Sequence, residues 1–325
     1  MSDFRPFIRT ALGDIDPGHL GPTSAHEHVI IDDEHVRAAW PDFDLGDVRL
    51  AAQELRLFHA AGGRAVVDTM PAGCGRNAVK AAEASRHSGV HVVLATGVHL
   101  VKYYRPDHWL LGLDESEMAD LLVADIQVGI RIDEHDPHSA RGPQRAGVIK
   151  VAGGRSRLDD FQQRTFRAAA AAQRRTGCPV ITHTEQGTAA LEQAQLLIAH
   201  GAHRSHVVLS HVDRVHDAAV HRRVLELGVC LEYDAAFRAR QQPNPTVELL
   251  AELAPAYPSQ LTVGMDLARL SYKESSGGTP GLAWLMHTLW PLLRQRGLSE
   301  ELIHRLYVEN PAAVFSFFQP PAAIG

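Results

Sequence analysis

The sequence predicts a (β/α)8 barrel with a metal centre at the C-terminal ends of its strands, and three observations lead there. Short β-branched runs alternate along the chain with longer segments of helical period, the pattern of repeated βα units around a parallel sheet. Eight such runs occur, the number that closes a sheet of this kind on itself. Side chains of metal-ligand type stand at the C-terminal side of five of them, where such a barrel keeps its chemistry.

In chain order, residues 23–31 make the first strand, with Val29, Ile30 and Ile31 as its β-branched run. Within it Ser24-Ala25-His26-Glu27-His28 sets two histidines one residue apart, and period-two alternation turns both imidazoles to one face. Val48, Ala51, Ala52, Leu55 and Phe58 then follow the spacing of an amphipathic helix, which Gly62-Gly63 stops. A second strand over 65–69 precedes a helix over 77–87, and a third over 91–96 precedes a helix over 115–129. Residues 133–145 form a polar loop marked by Pro and Gly. Strands four to eight fall at 147–152, 179–183, 206–211, 229–233 and 260–266. Helical patterns separate them, among them Leu191, Ala194 and Ile198 closed by Gly201, and Val220, Val224 and Leu227 closed by Gly228. Nothing resembling a linker or a short repeat interrupts the series, so residues 1–325 read as one domain.

Composition narrows the class of partner. A chain of 325 residues with 45% hydrophobic content can bury a large core. Its 32 basic and 38 acidic residues leave a formal net charge of −6, so no global field favours nucleic acid or an anionic membrane, and the expected partner is a small molecule. Three scattered cysteines, Cys74, Cys178 and Cys230, lack zinc-ribbon spacing and suit a reduced cytoplasm. The opening residues carry no apolar core with a cleavage site, and eighteen apolar residues never run together, so a soluble cytoplasmic protein is expected. A homodimer is compatible with the sequence.

The polar residues at the strand ends converge. Strand one carries His26 and His28, strand four Lys150, strand five His183, strand six His211 and strand eight Asp266. Each alone has a structural explanation, a satisfied core histidine or a helix cap, but together they are buried polar groups that all need partners, and one metal centre satisfies the whole set. Lys150 is the unusual member, a single ammonium in the apolar strand Gly147-Val148-Ile149-Lys150-Val151-Ala152. An unpaired buried charge costs several kcal/mol. Burial depresses the lysine pKa and exposes a neutral amine, which carbon dioxide would convert into a carbamate with two oxygens able to bridge two cations. The alternative for Lys150 is a salt bridge to a buried acid.

The set His26-x-His28, Lys150 in GVIKVA, His183 in ITHTEQGT, His211 in VLSHVD and Asp266 in VGMDLAR resembles the phosphotriesterase family of the amidohydrolase superfamily. The resemblance spans nearly the whole chain, including Ala95-Thr96-Gly97 and Glu309-Asn310-Pro311. It implies a barrel holding two divalent metals, usually zinc. His26, His28 and Asp266 would bind the more buried ion, His183 and His211 the other, and carbamylated Lys150 would bridge them. The ligand types agree, since imidazole and carboxylate suit zinc and metals about 3.5–4 Å apart are a known hydrolytic device.

A hydroxide held between two Lewis acids is a nucleophile at neutral pH, and one metal polarises the carbonyl or phosphoryl oxygen under attack. Asp266 would accept the proton and pass it to the leaving alkoxide. Family lactonases acting on long-chain homoserine lactones carry Tyr soon after the Ala-Thr-Gly, where this chain has His99, a departure that points away from that substrate. Arg269 and Tyr272, with Arg238 and Arg240 in Phe237-Arg238-Ala239-Arg240, lie after strands eight and seven, whose loops form the usual phosphate site of the fold. They resemble the residues by which family members opening phosphorylated furanose lactones grip the phosphate, with arginines where lysines are usual. Lys102-Tyr103-Tyr104-Arg105 adds phenols and charge near the mouth, and Tyr104 with His99 completes the expected substrate-binding set. The leading expectation is thus a lactonase for a small anionic lactone. Hydrolysis of a phosphotriester or an amide by the same centre is the alternative, and a nuclease-like or non-catalytic metal-binding barrel is a third reading.

Overall fold

The computed structural model describes residues 4–320, so 1–3 and 321–325 of the expected domain lie outside the described residues. A hairpin of β1 (Ile8–Thr10) and β2 (Gly13–Ile15) leads into eight parallel strands. These are β3 (Thr23–Glu27), β4 (Ala65–Asp68), β5 (His91–Val98), β6 (Val148–Gly153), β7 (Val180–Thr184), β8 (Val207–Ser210), β9 (Cys230–Tyr233) and β10 (Leu261–Val263). They pair in sequence order, β3 to β10. The gap between β10 and β3 is closed by the Asp266 and Met265 N–H groups, which donate to the His26 carbonyl at 3.0 and 3.3 Å. The expected (β/α)8 barrel is the fold.

Local chemistry accounts for the helices around it. Asp47 caps Val48–Ala60 by accepting from the Arg49 and Leu50 N–H groups, and Asn77 caps Ala78–Ser88, which ends at left-handed Gly89. Glu115–Gln127 and Asp160–Thr176 each begin with a reciprocal capping box, Asp114 with Glu117 and Asp159 with Gln162. Residues 133–145 form the expected polar loop, tied to the barrel because Glu134 accepts from the Arg76 guanidinium and the Gly73 N–H.

Several boundaries differ from the sequence pattern, and the two largest shifts lie at the future site. The first strand stops at Glu27 rather than 31, because Val29, Ile30 and Ile31 are buried beneath the surrounding loops and helices instead of pairing in the ladder. The eighth stops at Val263, and Asp266 adopts φ 49°, a left-handed conformation unusual for a residue with a side chain. The β1–β2 hairpin, which the pattern does not reveal, seats against the barrel through the Ala11 N–H on the Val92 carbonyl at 2.7 Å. Phe7 stacks on Phe317 there at 4.5 Å, so the two ends of the described chain meet.

Inside the barrel, side chains lie in layers. Ala65, Val67, Val93, Val148, Ile181, Val208 and Cys230 pack as an apolar floor with Ile8 and Phe315. Two residues further along the strands the same inward direction is taken by Lys150, His183 and Glu232. The floor isolates the polar layer from solvent on one side, so those groups must open upward or pair with each other.

Candidate metal centre and substrate cavity

A cavity of about 270 Å³ opens at the C-terminal ends of the strands. His26, His28, Lys150, His183, His211 and Asp266 all line it, so the six residues expected at the centre are brought together. The His26 ring centroid lies 4.5 Å from that of His211 and 5.7 Å from that of His28, and His183 lies 4.7 Å from His211. One donor atom each from His26, His28 and Asp266 fall within 4.8 Å of one another, close enough to hold a single cation.

The His26/His28 convergence does not arise from plain alternation. Ala25 already belongs to the interior floor, and the register of β3 shifts between Ser24 and Glu27. That irregularity re-aims His26 into the barrel, while His28 follows the strand end. His211 and Asp266 likewise reach the centre through left-handed backbone, φ 65° and 49°. Gly264 lets the β10 turn pass, since a Cβ there would lie 2.5 Å from a Glu232 oxygen and 2.8 Å from the His26 backbone nitrogen.

Carboxylates stand behind the imidazoles. The His211 Nδ1–H donates to Asp234 in a very short hydrogen bond, which fixes the tautomer and leaves Nε2 with a lone pair for a cation. His26 Nδ1 faces the fully buried Glu232 at 3.7 Å, with Nε2 3.2 Å from the Lys150 Nζ. Burial lowers the pKa of His26 well below its ordinary value and that of His183 to about 3, so both imidazoles are neutral, the form that binds metal. Burial also pushes the Lys150 ammonium down to about 8, and it makes no ion pair among the described residues, which removes the salt-bridge alternative.

Asp266 is held from both sides. Its Oδ1 lies 3.3 Å from His28 Nε2, while Oδ2 accepts from Arg214 at 3.2 Å and Arg238 at 3.0 Å. Burial raises its pKa, but the His28 hydrogen bond and the charges of His211 and Arg238 hold it well below the carboxylate range.

The expected substrate residues divide. His99, Arg238, Arg269 and Tyr272 line the cavity. His99 Nδ1 accepts from the Leu100 N–H at 2.8 Å, which makes Nε2 a donor. Arg269 is half-exposed at the mouth, its guanidinium 5.7 Å from the Tyr272 ring and 3.8 Å from Asp42. Tyr104 is a correction. It is buried outside the cavity, with its hydroxyl accepting from the His99 N–H at 2.8 Å and donating to the Ala72 carbonyl at 3.0 Å, and the neighbouring Tyr103 lines the wall instead. Arg240 is also displaced, exposed beyond the rim, because Phe237–Arg238 form a short turn that takes Arg238 inward and leaves Arg240 outside. Sequence reasoning missed Arg214 and Glu185 on the wall, and Asp234 and Glu232 behind it. The signal available was position, for Arg214 follows His211 by three residues and Glu185 follows His183 by two.

A parallel barrel that gathers neutral imidazoles, carboxylates and a buried lysine over one cavity defines a metal-site barrel protein. Residues 6–315 match the model of the phosphotriesterase family, and the chain belongs to that family. It is 33% identical over 334 residues to a phospho-furanose lactonase of Mycoplasmopsis synoviae, covering 96% of this chain and 92% of that one. Among solved structures, an amidohydrolase from Mycoplasma synoviae superposes with a TM-score of 0.92 at 31% identity, over 97% of this chain and 93% of that one. A lactonase from Listeria monocytogenes superposes with a TM-score of 0.88 at 25% identity, over 96% and 100%.

Proposed function

We propose that the chain is a metal-dependent hydrolase that opens a small anionic lactone, a phosphorylated furanose lactone being the best fit. The observation that carries it is one cavity holding two kinds of group, neutral metal-type ligands at its floor and Arg269 with Tyr272 at its mouth. The names of relatives across nearly the full chain point the same way. In this reading His26, His28 and Asp266 would hold one divalent ion, His183 and His211 the other, and a carbamate on Lys150 would serve both, with zinc the expected metal. The donor set fits, since the imidazole nitrogens are neutral and Asp266 presents one oxygen to His28 and keeps the other apart. When bound, such a pair of ions lowers the pKa of water and polarises a carbonyl.

The chain's own groups do the rest. Lys150, with its amine largely deprotonated above pH 8, adds to carbon dioxide through its lone pair and loses one proton, so the buried charge becomes anionic and shared. Asp266 would take the proton of the nucleophilic water at Oδ2, the oxygen turned away from His28, and hand it to the leaving oxygen. Arg269 and Tyr272 hold the far end of the substrate by charge-assisted hydrogen bonds. His99 Nε2 offers a further donor.

The described residues contain no helix long and apolar enough to cross a membrane. Cys74, Cys178 and Cys230 are buried and unpaired, which supports the cytoplasm, and residues 1–325 are proposed to act as one domain. A screen of lactones with and without a phosphate on zinc-loaded protein, read by acid release, tests the function. Hydrolysis of phosphotriesters with no lactone opened would overturn it in favour of the alternative.

A further inference from the structure

Two guanidiniums meet Asp266 Oδ2, yet they are not equivalent. Both terminal nitrogens of Arg238 are engaged, Nη1 by the Asp234 carbonyl at 2.8 Å and Nη2 by the Asp266 carbonyl at 2.7 Å and its carboxylate at 3.0 Å. Its plane also lies 4.2 Å from the Phe237 ring centroid. Arg238 is built into the wall.

Arg214 is only half used. Its Nη2 reaches Asp234 at 3.5 Å and Asp266 Oδ2 at 3.2 Å, and Nη1 makes no hydrogen bond among the described residues. Nε is buried and without a partner among the described residues, and the residue lines the cavity. Nη1 is thus a donor that no described acceptor takes up, on a residue that lines the cavity and touches the same carboxylate oxygen of Asp266. No sequence motif pointed to it, and the expected substrate residues do not include it.

Resting on the function proposed above, we infer that Arg214 is a catalytic residue that stabilises the departing ring oxygen. As a lactone opens, water oxygen bonds to the carbonyl carbon and the acyl C–O bond breaks, leaving its electron pair on the ring oxygen. The proton that Asp266 took from the water then moves to that oxygen. For the transfer, the oxygen must come within hydrogen-bond reach of Asp266 Oδ2, about 2.7 Å. Nη1 and Nη2 are neighbours in one planar fork, so an acceptor approaching Oδ2 from the cavity meets the free Nη1–H groups. The developing alkoxide is the strongest acceptor of the reaction, and a donor aimed at it acts on the transition state more than on bound substrate.

The test uses one phosphorylated furanose skeleton in three forms, the lactone, the thiolactone and the unreactive lactam, on the metal-loaded enzyme. Arg214→Met is expected to lower kcat on the lactone by about 10²-fold, the effect of removing one donor from an oxyanion. The thiolactone, whose thiolate is a weaker base and acceptor, should lose less than a tenth as much, and Arg214→Lys should recover part of the lactone rate. Lactam affinity by calorimetry and metal content should equal wild type. Equal losses on lactone and thiolactone, or a lost metal or lactam affinity, would make Arg214 a positioning or structural residue and overturn the inference. A wild type that opens neither substrate while binding metal would instead remove the lactonase reading, and the inference with it.

Discussion

Replacing Lys150 by Met in metal-free protein, without carbon dioxide, is expected to stabilise the fold by an amount that fades as pH rises. Lys150 is 1% exposed, its Nζ meets only His26 Nε2, at 3.2 Å, among the described residues, and its pKa falls from 10.5 to about 8, chiefly through burial, with Asp266 and Glu232 opposing. The unfolded chain keeps this proton up to about pH 10.5 and the folded chain only to about pH 8. Between those values the unfolded state binds more protons, so wild-type stability rises with pH. Below pH 8 the folded state carries the full cost of the charged form, about 3 kcal/mol at roughly 1.4 kcal/mol per pH unit. Met fills similar volume without that cost. The variant should therefore lead by about 3 kcal/mol at pH 7 and lose that lead through pH 8–10.5. Urea unfolding midpoints of both proteins, in degassed buffer with chelator at pH 7, 8, 9 and 10.5, measure the gap. A gap that is constant with pH, or that widens, would refute the account of Lys150 as an unpaired buried amine.

Other outcomes follow from the same geometry. Lys150→Ala should abolish most activity, with partial return on adding bicarbonate and a short carboxylic acid, and metal analysis of active wild type should find two ions per chain. Asp266→Asn keeps a coordinating oxygen but no proton acceptor, so turnover should fall by about 10²–10⁴-fold while metal content survives; unchanged turnover would make Asp266 a ligand only. Arg269→Met should raise KM for a phosphorylated lactone about tenfold or more and leave a neutral lactone unaffected, on the scale of a hydrogen bond to a charged group. Arg76→Met removes the cation shared by buried Asp125 and half-buried Glu134, leaves Asp125 with Arg141 alone, and should cost about 3 kcal/mol of stability, read by chemical unfolding.

The alternation of β and α segments and the caps are local, and the sequence by itself determined them. Asp47, Asn77, Asp114 and Asp159 act within a few residues of themselves, and period-two alternation in Val148–Gly153 places Lys150 with no knowledge of the rest of the chain. The six residues of the expected centre could be found because each lies within or just after a strand, and the barrel brings the strands' C-terminal halves together by closure.

What only the tertiary structure decided lies where backbone departs from a repeat or where partners are far apart in sequence. The register shift in β3 and the left-handed turns at His211 and Asp266 aim side chains in directions no periodicity encodes. Tyr103 and Tyr104 are adjacent and chemically alike, yet one faces substrate space and the other is locked by the His99 and Ala72 backbone. Of the cationic residues on these loops, Arg240 points to solvent, Arg238 is consumed by Asp234 and Asp266, and Arg214 keeps a free edge. A guanidinium's role is set by which acceptors surround it, and for these arginines the acceptor Asp266 stands 28 and 52 residues away along the chain. Such distances are bridged only when β10 closes against β3, because that closure places the Asp266 carboxylate among groups from β3, β6, β8 and β9.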